Sequence, residues 1–116
     1  MTAEKKIEVV FYASERGAEP VRQWLKALPA EERRLIGEDI RTVELGWPIG
    51  MPVCRPLGKG LYEVRSGLKN RIARVLFMID GHKMVLLHGF IKKSQATPRA
   101  DLDLARARQR DWENGR

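Results

Sequence analysis

A chain of 116 residues, 43% hydrophobic and 32% charged, has the balance of one soluble globular domain over residues 1–116, with little room for a second. Its one cysteine, Cys54, excludes a disulfide framework and suits a reducing, cytoplasmic setting; no apolar run is long enough for a membrane span, and MTAEKKIEVV at the N-terminus lacks a signal-peptide core. The net charge of +7 is uneven: eight Lys/Arg oppose nine Asp/Glu in residues 1–54, fourteen oppose six in residues 55–116, so the second half favours a polyanion such as RNA, DNA or an acidic protein.

Ile7 to Tyr12 joins β-branched and aromatic residues and reads as a first strand. The turn-rich SERGAEP follows. Pro20 then stands where the first turn of a helix tolerates a missing N–H. Val21, Trp24, Leu25 and Leu28 mark one helical face, and Pro29 stops it. A second helix starts near Ala30, with Glu31 and Glu32 suiting the N-terminal dipole. Leu35, Ile36, Ile40 and Val43 keep its period until Gly46. So short a connection predicts an antiparallel helical hairpin lying on one side of a sheet. Trp24 and Trp47 read as core or flank packing.

Residues 46–60, GWPIGMPVCRPLGKG, hold four glycines and three prolines and read as a loop. Three strands follow: Leu61 to Arg65, Arg71 to Ile79, and Met84 to Ile91. Asp80-Gly81 is a strong hairpin signal between the last two. Thr97 is placed to cap a final helix with Pro98 at its first position. That helix carries Leu102, Ala105 and Trp112 on a stripe, with Arg99, Arg106, Arg108 and Arg110. The order β-α-α-β-β-β-α predicts an α+β domain with a mostly antiparallel, four-stranded sheet.

There is no Gly-rich phosphate loop, no paired cysteine and no His-rich spacing, so no cofactor and no metal are expected. What stands out is a row of cations on the strands: Arg65, Arg71, Arg74, Lys92 and Lys93, with Lys59 just ahead. With an even loop at Asp80-Gly81 and no bulge, Arg74 shares a face with Leu76, Met78, Val85, Leu87, Gly89 and Lys93. His88, Phe90 and Lys92 then lie on the other face with Ala73, Val75 and Phe77. An even loop between Arg65 and Arg71 adds Glu63 and Arg65 to the Arg74 face; an odd loop sends them across. The even loop is preferred because it gathers Tyr62 and Val64 on the apolar side. One face is then packed by helices, and the other holds Glu63, Arg65, Arg74 and Lys93 around an opening at Gly89.

Such a cluster suits cleavage of RNA by its own 2′-OH, where fixed cations stabilise the charge that builds on phosphorus. Lysine or histidine could move the two protons involved. The same cations also suit a solvated sheet edge, where lysine deters aggregation. His88, mid-strand among apolar neighbours, reads first as a hydrogen-bonded core histidine. His82 reads as a solvated turn residue, and Cys54 as a small loop residue.

From Leu57 to Arg106 the chain reads LGKGLYEVRSGLKNRIARVLFMIDGHKMVLLHGFIKKSQATPRADLDLAR. The GLYEVR strand, the RVLF strand, the LLHGFIKK strand and the TP before a helix with A-x-x-R resemble the phage-derived branch of the RelE/HigB toxins. The helical hairpin with its W-L and proline stop also fits. The resemblance implies a ribosome-dependent, metal-independent endoribonuclease that cuts mRNA in the decoding site. It implies neutralisation by a cognate helix-turn-helix antitoxin, contact with operator DNA only through that complex, and no membrane.

By the same resemblance Arg65 matches an arginine that contacts the scissile phosphate, and Arg74 a second strand arginine. Lys92 and Lys93 match paired lysines at the strand end. Lys59, Lys69 and Arg71 are the candidates for RNA contacts. Several relatives place a tyrosine near the C-terminus to handle protons. Here the only tyrosines are Tyr12 and Tyr62, which leaves Lys92, Lys93 and His88 as the proton-handling candidates. Two other classes share the fold: a ParE-like gyrase inhibitor that acts by binding, and an inactive member that only binds its antitoxin.

Overall fold

Apolar periodicity sets the first half of the chain. In a computed structural model, which describes residues 6–93 and 95–115, β1 (Glu8–Phe11) leads into α1 (Pro20–Lys26) and α2 (Ala30–Gly46). The first five residues, read above for a signal sequence, lie outside the described residues. Pro20 opens α1, and Pro29 precedes α2, whose first turn carries Glu31 and Glu32. Val21, Ile36 and Val43 are fully buried, each stabilising the packing by roughly 1.5–3 kcal/mol. Glu44, also buried, accepts the Val9 N–H at 2.8 Å, so α2 satisfies a donor on an edge strand. Among the described residues no helix is long and apolar enough to cross a membrane.

The remaining elements are β2 (Cys54–Gly58), β3 (Leu61–Leu68), β4 (Arg71–Asp80), β5 (Lys83–Lys92) and α3 (Arg99–Glu113). The fold is α+β with a five-stranded, mostly antiparallel sheet in the order β1-β5-β4-β3-β2. β1 runs parallel to β5. The expectation of four strands is corrected by one, because β2 forms inside the Gly/Pro segment read as a loop. Pro56 is tolerated there since β2 is an edge strand and needs no donor on its outer side.

Two registers place the site. The β3–β4 hairpin has the even loop, so Arg65 faces Arg74 and Glu63 faces Leu76. The β4–β5 ladder contains a bulge. Leu76 pairs with His88 but Phe77 pairs with Leu86, leaving Leu87 as the extra residue. Beyond it the alternation reverses. His88, Phe90 and Lys92 therefore lie on the Arg74 face, against the bulge-free expectation. Lys93 lies one residue past the strand, and Lys92 takes the place expected for it.

Both faces of the sheet are packed. On one, α1 and α2 cover Val64, Val75, Phe77, Met84 and Leu86. Gly89 turns to this side, where Trp24 fills the space above it, so the expected opening on the cation face does not exist. On the other, Leu102, Ala105 and Trp112 of α3 cover Leu61, Leu76, Met78, Val85 and Leu87. The apolar stripe of α3 needs such a surface, and this corrects the reading of an uncovered second face. Pro98 takes the N-cap position of α3, and no side chain caps it; Thr97 instead gives its hydroxyl to Glu63 at 2.8 Å.

Candidate functional site

Beyond the N-terminal end of α3, the second face carries charge. Alternation along four paired strands produces two rows. Arg55, Glu63, Leu76 and His88 stand side by side in one; Arg65, Arg74 and Phe90 form the next. Lys92, opposite Ile72, is one step further along. Arg55 was missed by sequence reasoning because its strand lay inside the segment read as a loop. The alternation that would reveal it, Arg55 with Leu57 on one side, spans too few residues to stand out.

Arg74 is fully buried. Its Nε stands 3.9 Å from Glu63 Oε1, and its guanidinium lies over the Phe90 ring at 5.8 Å. Burial lowers its pKa from the ordinary arginine value; Glu63 opposes that, while Arg65 and Arg55 add to it. It remains a cation at any working pH. Arg65 is a little more open. Its Nη2 donates to Gln95 Oε1 at 2.8 Å, and its Nη1 lies 3.9 Å from Glu63 Oε2.

Like charges directly opposite on neighbouring strands repel. Arg65 and Arg74 are such a pair, with Arg55 beside them; Glu63, and less strongly Asp101, offset part of the charge at Arg74. The surplus positive charge, held on rigid strands, suits an anionic ligand. If that anion is a phosphodiester, the guanidiniums can stabilise charge developing on its oxygens.

The other expected residues separate into distinct places. His88 is clasped rather than free. Its Nε2 stands 2.7 Å from Asp101 Oδ1, and Arg108 Nη1 approaches its Nδ1 at 3.3 Å while donating to the Leu87 carbonyl at 2.9 Å. With Nδ1 accepting, Nε2–H donates to Asp101. The ring also stacks on Phe90, 5.5 Å between centroids. Arg71 lies on the opposite face and pairs with Glu32 of α2. Lys69 is exposed in the β3–β4 turn.

Lys59 is exposed at positive φ in the β2–β3 turn. It lines a groove with Arg99, Arg106 and Arg110, six positions along the chain from Arg65. Cys54, expected in a loop, opens β2 and is buried; burial, then Glu63, push its thiol from 9.0 up to about 11, which disfavours the thiolate at neutral pH. Among the described residues no group of three or more His, Cys, Asp or Glu is placed to hold a metal ion.

The family model described as phage-derived protein Gp49-like (DUF891) matches residues 23–110. The match takes in both charged rows and most of α3. No curated protein matches the chain significantly.

Proposed function

This chain belongs to the phage-derived Gp49-like family, and from that premise we propose that it is the toxin of a type II toxin–antitoxin pair, a RelE/HigB-type endoribonuclease that cuts mRNA in the ribosomal decoding site. The observation that carries the reading is the Arg65–Arg74 pair, two guanidiniums opposite each other on adjacent strands with Arg55 in the next row. A scissile phosphate bound at the more open Arg65, with the buried Arg74 behind it, offsets their repulsion and is stabilised by their positive charge as its transition state forms.

The reaction uses the RNA's own nucleophile. The 2′ oxygen bonds to phosphorus, its proton leaves to a base, the bond to the 5′ oxygen breaks, and that oxygen takes up a proton. Lys92, on the same face as Arg74, and Lys93, next to it, are the side chains proposed to move those protons. His88 is not assigned this work, since both its ring nitrogens are engaged. A cognate helix-turn-helix antitoxin is the proposed inhibitor, and through it the operator DNA.

Translation of a defined mRNA in a purified system, with 5′ ends mapped by primer extension, tests this. Cuts that need translating ribosomes and vanish in Arg65→Ala are expected. Cuts on free RNA would remove the ribosome from the reading. A folded protein that makes no cuts would overturn the enzyme and leave a binding role, on gyrase or on the antitoxin alone.

A further inference from the structure

Glu63 is fully buried, yet it stands among the guanidiniums of the cation cluster. At a site that draws a phosphate, a carboxylate subtracts attraction, and its burial costs solvation. The way it is held suggests what offsets both. Oε1 accepts the Thr97 hydroxyl at 2.8 Å. Oε2 makes no hydrogen bond and lies 3.9 Å from Arg65 Nη1. That separation is an ion pair longer than a hydrogen bond. Glu63 therefore attracts Arg65 without taking up its N–H donors. Gln95 holds the far nitrogen, Nη2. Among the described residues, Nε and Nη1 of Arg65 donate to no acceptor.

We propose that Glu63 is a positioning residue: anchored by Thr97, it aims the Arg65 guanidinium outward and leaves its donors for an RNA phosphate. The proposal rests on the reading of the cluster as the scissile-phosphate site. Thr97 and Gln95, from the segment leading into α3, hold the pair from one side, and the β3 backbone holds it from the other. Pre-set donors lose little freedom when the anion arrives, which is where such an arrangement gains rate.

The test uses the full chain carrying Glu63→Gln, which keeps the volume and an acceptor for Thr97 but removes the charge. Two readouts are taken on the folded protein. The first is the Nε–H resonance of Arg65 by NMR, identified by its loss in Arg65→Lys; it is expected to shift and broaden as the guanidinium, then held by Gln95 alone, becomes more mobile. The second is ribosome-dependent cleavage, where kcat is expected to fall roughly 10- to 100-fold with KM unchanged or lower, since one negative charge has left the cluster. Thr97→Val should shift both readouts the same way by less, and it serves if Glu63→Gln does not fold. An Arg65 resonance unmoved in the folded variant would overturn the proposal. So would unchanged kcat and KM per folded molecule, the result of a merely structural role. If the wild-type chain cleaves nothing while the resonance still moves, the positioning role stands and the cleavage reading alone has failed.

Discussion

Trp24 of α1 lies so close to Gly89 of β5 that a Cβ on Gly89 would stand 2.4 Å from its Cε3. Real Cβ atoms do not approach carbon so closely, so this seam between helix and sheet needs glycine. Gly89→Ala should destabilise the fold by about 1–3 kcal/mol, read as a lower melting temperature. Trp24→Leu in the same chain should recover part of that loss, because the two positions are coupled by direct contact. A Gly89→Ala protein that melts like the wild type would show that the indole does not fill that space.

The two strand arginines should separate stability from activity. Arg74→Ala deprives the buried Glu63 of a charge partner, and breaking a buried pair costs about 3–5 kcal/mol. Arg65→Ala removes a hydrogen bond to Gln95 and a less buried ion pair with Glu63, and should cost less, roughly 1.5–3 kcal/mol, while abolishing cleavage. Urea unfolding midpoints alongside the translation assay check both. Equal midpoints for the two variants would contradict the burial difference.

His88→Leu, which has no donor, removes the clasp to Asp101. A hydrogen bond to a charged group is worth roughly 1.5–3 kcal/mol, so the variant should lose stability of that order and keep its cleavage rate per folded molecule. Loss of cleavage at full stability would instead make His88 a proton carrier.

The Cys54 thiol gives a pH signature. Its pKa rises from 9.0 to about 11 on folding, so the folded state holds the proton more tightly. The stability this adds is fully present below pH 9.0 and is lost as pH rises through about 11. At pH 8 the native chain should resist iodoacetamide and react once denaturant is added. Rapid native alkylation would show that the thiol is accessible.

Elements with long periodic runs were legible in the sequence. The stripe through Ile36, Ile40 and Val43 set α2, and alternation with turn signals set β3, β4 and β5. β2 was not legible, because Pro56 and Gly58 carry the residue signals of a turn and only its edge position accommodates them. The bulge was hidden by the unbroken apolar run Met84 to Leu87, which fits either face at every position. That one extra residue moved His88 and Phe90 across the sheet and turned Gly89 under Trp24. Arg65 and Arg74 were legible as a pair because, of the two loop parities open to the turn, the even one gathers Tyr62 and Val64 on the apolar side, and that is the register found. The hold of Thr97 on Glu63 was not, since a threonine before a proline and a helix carries the same residues as a cap.

Each of β2, β3 and β4 is joined by a short turn to the strand it pairs with next, but β1 meets only β5, with Glu8 opposite Lys83. Closing so long a loop is slow compared with closing a turn. The meander from β2 to β5 should therefore assemble first, with β1 joining at the end. Pulsed hydrogen exchange during refolding should find the amides of β4 protected before those of β1. On a chain made from its N-terminus, β1 leaves the ribosome well before its partner β5, so this strand waits unpaired until the β2–β5 meander has been made.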